Sequence, residues 1–467
     1  MDPAQGPQGT AAGAAAPRRQ LDVRHALAVC VGTVIGSGIF RASPNVAANL
    51  MDSTSLFATW VVGGVLSMLG ALCFAEMSAA FPHAGGDYAF LARAYGRRLA
   101  LLFAWSRFSV IHTGSMALLA FVFGDYLSQL FNFGSWASPV FGTVAVVTLI
   151  AVNLRGIRLG VGTQVGLMAL VIFGLACVFL GGLWQAARGA VPPTPVAASL
   201  ATADRTSVGT AMIFVLLAYG GWSDAATLSA EMRDERRGIV VALTGGLAVV
   251  AALYLGANWS YVRVLGFDGL AASRAPAADV MRLAFGPAGE ALMVATVATA
   301  AISVMNALLI VGARTTFAAA RDWSGEVHLG RWDVLRGTPA QAMVAMGVVA
   351  LAQIGFGSLT LHGFSTMVDY LTPVYWFFLS LSALAVIQLR RRFPDAPRPF
   401  RVPGYPFTPL VFFASCLYML YSSLVYVRAG ALVGVAVLAL GGFLLPRRAP
   451  PARPSEAQDV GADDAGQ

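Results

Sequence analysis

Residues 32–40, GTVIGSGIF, place three glycines and two hydroxyl side chains inside an otherwise apolar segment. Residues 217–224, LAYGGWSD, make a second polar interruption in another apolar segment. If both segments cross a membrane, the freed backbone groups are costly unless they line a cavity. The two stretches therefore predict two broken helices that face a common site, provided that the rest of the chain places them in a bilayer.

Composition places the whole chain in a membrane. Of 467 residues, 12% are charged and 57% are hydrophobic, and residues 137–152 and 240–255 carry no charge at all. A soluble protein is about 25% charged and could not absorb such stretches on its surface. The predicted fold class is therefore an all-α polytopic membrane protein.

Windows of about 20 apolar residues give the predicted membrane-spanning segments. There are twelve, at residues 25–50, 56–81, 99–130, 136–153, 159–184, 207–230, 238–264, 287–320, 338–357, 364–389, 405–426 and 430–445.

Arginine placement orients these spans. The segments on the same side as the N-terminus carry 23 arginines and the alternate loops carry 6, with Arg41 and Arg107 inside spans. Cytoplasmic loops of membrane proteins are enriched in basic residues. The sequence therefore predicts a multi-pass protein of the plasma membrane, the inner membrane in a bacterium, with both termini cytoplasmic. Residues 1–20 and 446–467 are predicted to be disordered cytoplasmic tails.

The composition also excludes several functional classes. No basic block stands on a polar background, so the net charge of +8 does not indicate nucleic-acid binding. All 31 basic residues are arginine, which excludes chemistry based on a lysine Schiff base. The four cysteines and five histidines are scattered without ligand spacing, so we expect no metal, no cofactor and no enzymatic activity.

The two interruptions fall in the first and sixth spans, the pattern of an inverted-repeat secondary transporter. Where the first span restarts, the N–H groups of Ser37, Gly38 and Ile39 suit a carboxylate. Where the first half of the sixth span stops, the carbonyls of residues 217–219 suit an ammonium group. An α-amino acid satisfies both. The alternative is that the glycines, Gly32 and Gly36 in particular, serve close helix packing.

Five segments in this order carry a family resemblance: GTVIGSGIF, AEMSAAFPHAGGDYAFL, AYGGW followed by SAEM, NALLIVGARTTFAAARD and PRPFRVPGYPFTPL. From about residue 21 to 445, the chain resembles the amino acid–polyamine–organocation superfamily, and within it the L-type and bacterial amino acid permease branches. The resemblance implies a LeuT-like five-plus-five inverted repeat followed by two extra helices. The implied division is residues 21–184 and 207–390 for the repeats, 391–404 for a cytoplasmic linker and 405–445 for the last two spans.

The resemblance also implies roles for individual residues. Ser37, Gly38 and Ile39 take the carboxylate, and residues of the sixth span take the amine and flank the side chain. The complete predicted substrate-binding set is Ile35, Ser37, Gly38, Ile39, Leu217, Ala218, Tyr219, Gly220, Trp222 and Ser223.

Three positions depart from the family pattern. Leu217 stands where relatives have an aromatic gate over the substrate. Occlusion of the substrate is therefore expected to be weaker or to come from another residue, with Tyr219 as one candidate. Within the fifth span, residues 167–173 lack the lysine that many relatives use in place of a sodium site. Residues 128–140 contain no cysteine, so a disulfide-linked accessory subunit is not expected.

Ionisable residues inside spans are candidates for coupling or gating. Asp224 could carry a proton, hold an arginine, set a preference for cationic substrates, or only cap the second half of the sixth span. For Arg107 the favoured interpretation is snorkelling to the cytoplasmic interface, and for His112 a hydrogen-bonded core histidine over a proton carrier. Ser303, with Asn306, keeps a sodium site open.

Glu76 ends the second span, and Arg93, Arg97 and Arg98 follow in the next loop. Together with the alternating charges of residues 231–237, they suggest a gating network at the inner face, the alternative being solvated loop charges.

The sequence thus predicts a secondary active transporter that moves amino acids by alternating access, as an exchanger or a proton symporter. Its expected partners are the amino acid, the lipid bilayer and, in the symport case, protons. The alternative is a non-transporting amino acid sensor or an intramembrane enzyme on the same fold.

Overall fold

The computed structural model describes residues 23, 27, 30–31, 34–35, 38–82, 86–131, 134–154, 161–189, 207–225, 238–324, 328–331, 333, 339–360, 362–425 and 429–444. Ser37, the charged stretch at 231–237 and both predicted tails lie outside these ranges.

Regular structure within the described ranges is helical. The helices are α1 Gly38–Ala48, α2 Ser53–Ala80, α3 Asp87–Tyr95, α4 Arg97–Ser106, α5 His112–Leu130, α6 Ala137–Leu154, α7 Val161–Ala187, α8 Val208–Ala218, α9 Trp222–Ala225, α10 Gly238–Ala272, α11 Pro276–Ser324, α12 Ala340–Ser358, α13 Gly363–Arg392, α14 Phe407–Val425 and α15 Ala429–Leu444. A π-helical turn, Arg107–Ile111, joins α4 to α5.

Nine of the described helical segments are long and apolar enough to cross a membrane, and Val208–Asp224 and Gly430–Leu444 are shorter apolar helices. Every one of the twelve predicted spans overlaps one of these helices or, for the first span, α1. The predicted all-α polytopic membrane fold is confirmed. The division into two five-span repeats stays a prediction.

Two helices extend beyond their predicted spans. The stretch between spans seven and eight, predicted as a loop, is largely helical, because α10 runs to Ala272 and α11 starts at Pro276. Gly266 and Gly286, with φ of 74° and 71°, mark sharp bends inside these helices. A hydropathy window finds only the membrane-crossing part of a helix, so it misses amphipathic turns beyond a glycine bend.

The bundle has a buried centre and an apolar surface. The span made of α4, the π-helical turn and α5 is among the most buried, together with α13. In contrast, α6, α7, α14 and α15 expose large apolar side chains, including Val144, Phe179, Tyr421 and Phe443. Such a surface suits lipid chains, and it leaves polar groups to the interior of the bundle.

Both predicted breaks are present. Ile35 lies in a bend just before α1 begins at Gly38. In the sixth span, α8 ends at Ala218, and a turn precedes α9 at Trp222. In this turn Gly221 has a φ of 97°, a conformation that side-chain-bearing residues rarely adopt.

Candidate functional site

A cavity of about 180 Å³ lies between the two broken helices. Spans one, three, six, eight and ten line it, together with the short helix α3. Most of its surface is apolar, contributed by leucine, phenylalanine, valine and isoleucine side chains. Of the residues predicted for binding or coupling, those at the cavity wall are Gly38, Arg107, His112, Leu217, Ala218, Gly220, Ser223 and Asp224.

The two breaks touch at Gly38. A Cβ atom on this glycine would lie 3.0 Å from the Cα atom of Ala218 and 3.3 Å from its Cβ atom. Only glycine therefore lets the start of α1 approach the end of α8 this closely. The first turn of α1 has N–H groups without intrahelical acceptors, and its dipole favours a negative charge there. The wall of the cavity at Gly38 can accept a carboxylate.

Tyr254 on α10 links the two breaks from behind. Its hydroxyl lies 3.0 Å from the carbonyl oxygen of Val34 and 3.1 Å from that of Ala218. The carbonyl of Leu217 accepts from the N–H of Gly220 at 3.0 Å. Two of the carbonyls expected to be free are thus already used once, although a carbonyl oxygen can accept a second hydrogen bond. Sequence reasoning missed Tyr254, because the sequence of α10 gives no sign of which residue contacts the two breaks.

Four predicted binding residues do not reach the cavity. Ile35 and Ile39 are buried outside its lining. Tyr219 packs against Trp60 and Tyr254, with ring centroids 5.7 and 5.2 Å away. Trp222 packs against Phe74 at 5.1 Å and Phe412 at 6.0 Å. These aromatic contacts hold the unwound turn against its neighbours, and Tyr219 does not cover the cavity.

Two other aromatic residues of the cavity wall stack on each other. Phe214 and Phe364 both line it and stack with their centroids 6.3 Å apart and their planes at 15°. The guanidinium of Arg41 lies 5.2 Å from the Phe364 ring centroid, and its Nε is 3.2 Å from a carboxylate oxygen of Asp125. The stacked pair supplies aromatic side chains to a cavity wall in which position 217 is a leucine.

Arg107 points into the protein and not to an interface. It is 8% exposed, its Nε and Nη2 atoms lie 2.9 and 2.6 Å from Nε2 of His112, and it forms an ion pair with Asp224. The snorkelling interpretation of Arg107 is therefore wrong. The π-helical turn explains the difference, because it hydrogen-bonds the N–H of His112 to the carbonyl of Arg107 and stacks residues five apart. In a regular α-helix they would point about 140° apart.

The contacts assign roles to the partners of Arg107. His112 accepts through Nε2, so its hydrogen sits on Nδ1, which is buried without a hydrogen-bond partner in the described part of the chain. His112 thus has the hydrogen-bonded core position favoured by the sequence. Asp224 holds an arginine, one of the roles considered for it, from the first turn of α9.

Asp87 is a buried carboxylate that the sequence did not single out. It starts α3, is 8% exposed and lines the cavity near Arg107 and Asp224. Burial raises the pKa of its carboxyl to about 7; Arg107 opposes this shift and Asp224 adds to it. The available signal was an acidic residue in a short connection, GGDYAFL, which composition alone assigns to a solvated loop.

Glu76 and Ser303 lie away from the cavity. Glu76 accepts from Arg390 at 2.7 and 2.6 Å and from the N–H of Val402 at 2.7 Å, and Arg398 is 3.8 Å away. In place of the predicted network with Arg93, Arg97 and Arg98, Glu76 thus pairs with the end of α13 and with the segment that follows it. Ser303 is buried outside the cavity lining.

The described residues hold no group of three or more histidine, cysteine, aspartate or glutamate side chains placed to bind a metal. Asn306 accepts from Nδ2 of Asn153 at 2.7 Å, a contact between the fourth and eighth spans.

Comparison with known proteins gives consistent matches along the chain. The family model for amino acid permeases matches residues 21–440. The serine/threonine exchanger SteT of Bacillus subtilis is 28% identical over 87% of this chain and 92% of its own length. The human b(0,+)-type amino acid transporter 1 is 28% identical over 83% of this chain and 79% of its own. The human cystine/glutamate transporter is 24% identical over 87% of this chain and 80% of its own.

Proposed function

The chain belongs to the amino acid permease family, and we propose from this premise that it carries amino acids across the plasma membrane by alternating access. The names of its relatives support amino acids as the cargo, since they include a serine/threonine exchanger and transporters for other amino acids. Transport, and neither sensing nor catalysis, is the activity that this membership supports.

One observation carries the proposal, namely that both broken helices border the same cavity. The start of α1 at Gly38 offers the N–H groups of a first helical turn, and the end of α8 at Ala218 offers carbonyl oxygens. The close contact between these two residues sets the two polar ends a short distance apart. An α-carboxylate and an α-ammonium group on one carbon match that arrangement. Ser37, the other hydroxyl of the first break, is proposed to join the carboxylate.

The lining of the cavity limits which amino acid side chains the site accepts. Phe103, Leu118, Leu308 and Phe378 also line the cavity, which measures about 180 Å³. Arg107 and Asp224 neutralise each other at one end. An enclosed apolar wall favours an uncharged side chain over a charged one. We therefore assign neutral amino acids as the substrates.

The two ends of the cavity are assigned to opposite faces of the membrane. The arginine distribution favours cytoplasmic termini, so the end of the cavity that carries the stacked Phe214 and Phe364 and the Arg41–Asp125 pair is proposed to be extracellular. Glu76 and Arg390 then lie on the cytoplasmic side. Because residues 128–140 lack cysteine, the protein is proposed to work without a disulfide-linked accessory subunit. Exchange and proton symport are both compatible with this arrangement.

The experiment is amino acid uptake by purified protein in liposomes. Vesicles loaded with an unlabelled neutral amino acid should take up its labelled form, and neutral amino acids outside should compete. The Gly38→Leu variant should abolish uptake, because the added side chain would fill the carboxylate position. Gly355→Leu is the matched control, since a Cβ there has nothing within 4 Å. If none of the twenty amino acids competes, the proposed function is wrong.

A further inference from the structure

Asp87 stands apart from the other charged groups of the cavity. Its helix, α3, lies between spans two and three, outside the membrane-crossing helices, and packs on α4 and α13. Its carboxylate reaches the cavity wall although only 8% of the residue is exposed. Within the described part of the chain, its hydrogen bond is to its own backbone and it has no ion pair.

The nearby cation is already committed to other partners. Arg107 donates to His112 and pairs with Asp224, so its charge is balanced before Asp87 is counted. The charged and titratable groups around Asp87 come from each element near it: Arg107 and His112 from span three, Asp224 from span six, Tyr375 from span ten and, on α3 itself, Arg93, whose guanidinium lies over the Phe81 ring.

Counted over the residues that the structure describes, an ionised Asp87 thus leaves this end of the cavity with one negative charge beyond the Arg107–Asp224 pair. A buried carboxylate without a counterion is costly, and it is relieved either by binding a proton or by a cationic ligand. The surrounding wall decides between them. Phe103, Phe378 and Leu379 also line this cavity and offer no polar contact to a cationic side chain. A proton needs neither space nor further ligands.

We propose that Asp87 takes up a proton when the amino acid fills the cavity, so that this residue couples transport to protons. The proposal rests on the proposed function. Asp87 is 8% exposed and lines the cavity, so water that fills the cavity would solvate its carboxylate, and a bound amino acid would displace that water. The ionised form then loses its solvation, and Asp87 binds one proton from the side on which the substrate entered. When the cavity opens to the other side and water returns, the carboxylic acid releases that proton there.

The electrostatics of the site agree with this role. The pKa of the Asp87 carboxyl is raised to about 7 by burial, so the group already titrates near neutral pH before any ligand enters. Loss of the remaining water around this carboxyl raises its pKa further. By linkage, a ligand that raises proton affinity binds more tightly where the proton is available.

The first experiment uses the wild-type protein. In weakly buffered detergent solution at pH 8, adding a neutral amino acid that binds should consume about one proton for each bound molecule, measured with an indicator dye. Binding without proton uptake would overturn the proposal and leave the proposed function standing. If no amino acid binds at all, the proposed function itself fails.

The second experiment identifies the residue. The Kd of the wild-type protein should rise about tenfold for each pH unit above pH 7, as expected for one required proton. Asp87→Asn should remove this slope. Asp52→Asn is the matched control, because Asp52 is an exposed helix cap and asparagine caps equally well, so its slope should stay that of the wild type.

Three results would contradict the assignment to Asp87. One is an Asp87→Asn protein that keeps the wild-type slope. A second applies if that variant does not fold: Asp87→Glu, which keeps a carboxyl group in a changed position, should shift the midpoint pH, and an unchanged midpoint would overturn the assignment. The third is tighter binding of lysine or arginine than of neutral amino acids above pH 7 without proton uptake, which would make Asp87 a site for cationic side chains.

Discussion

At the residue scale, the contact between Gly38 and Ala218 limits what the first span can tolerate. A methyl group on Gly38 would sit 3.0 Å from a backbone atom, closer than an ordinary van der Waals contact, so one helix must move. Movement would separate the N–H groups of α1 from the carbonyl groups of α8. The glycine is thus required by a close approach of two backbones, beyond the space that the substrate itself needs.

We predict that Gly38→Ala lowers the rate of amino acid uptake at least tenfold (order of magnitude from the effect of an ~1 Å misplacement of binding groups). Gly355→Ala, whose new methyl group meets nothing within 4 Å, should transport at the wild-type rate. Uptake by proteoliposomes at equal protein content measures both. Equal rates for the two variants would show that the approach of α1 to α8 does not matter for binding.

The pair Arg107–Asp224 joins the π-helical turn of span three to α9, which follows the break in span six. The two residues are 117 positions apart in the chain. Removing one member leaves the other charge in a poorly solvated place, whereas removing both leaves neither. The Asp224 side chain is 39% exposed, so the penalty is smaller than for a fully buried pair.

We predict that Arg107→Gln and Asp224→Asn each destabilise the protein by roughly 2 kcal/mol and that the double variant loses less than the sum. Thermal unfolding in detergent gives the three values. Arg282→Gln serves as the control, because its pair with Asp279 is more exposed and should contribute well under about 1 kcal/mol. Strictly additive losses would mean that the pair has no energetic coupling.

At the element scale, the π-helical turn Arg107–Ile111 changes the facing of a whole span. One extra residue in the turn rotates the helix that follows, so α4 and α5 present their faces differently from one continuous α-helix. The position of Arg107 along residues 99–130 favoured snorkelling to the cytoplasmic interface, but position along a helix does not give the direction in which a side chain points. A π-helical turn is common at functional sites, and here it lines the cavity.

A second feature at this scale is the attachment of the last two spans. Glu76 on α2 binds the guanidinium of Arg390 at the end of α13 and the backbone N–H of Val402 beyond it. These contacts anchor the segment that leads into α14. They tie the added helices to the second span, which carries part of the wall behind the unwound turn.

We predict that Glu76→Gln destabilises the protein by about 3 kcal/mol, because two arginines lose the charge that balances them in a buried position. Asp395→Asn, an exposed carboxylate in the same segment, should leave the unfolding temperature within error of the wild type. Thermal unfolding of both variants is the measurement. A wild-type unfolding midpoint for Glu76→Gln would show that this ion pair does not stabilise the attachment of spans eleven and twelve.

At the scale of the whole molecule, the sorting of arginines predicts which loops face the cytoplasm. Met51, in the turn between α1 and α2, and Asp395, after α13, are both exposed and belong to opposite predicted faces. Three of the four native cysteines are buried, so the background reactivity is low.

We predict that in intact cells Met51→Cys reacts with a membrane-impermeant maleimide and that Asp395→Cys reacts only after the membrane is opened. The native protein, carried through the same labelling, gives the background from Cys177, the half-buried one. Labelling in the reverse order would invert the topology and exchange the extracellular and cytoplasmic ends of the cavity.

The sequence alone determined membrane residence, the positions of the spans and the two breaks at residues 32–40 and 217–224. Membrane residence and span positions depend on hydropathy averaged over many residues, and the breaks depend on glycine and polar residues within an apolar stretch. Both signals can be detected within one segment of the sequence, without knowledge of tertiary contacts. The order of five motifs also sufficed to indicate the family, which the match over residues 21–440 shows.

Only the tertiary structure decided which side chains share the cavity. Tyr219 and Trp222 lie outside its lining, Phe214 and Phe364 line it and stack, and Asp87 lines it from a short helix between spans. Such pairings depend on the rotation of each helix about its axis and on which neighbours it meets. A single π-helical turn changes that rotation without leaving a distinctive composition, so a sequence read window by window places residues along the chain but not across the bundle.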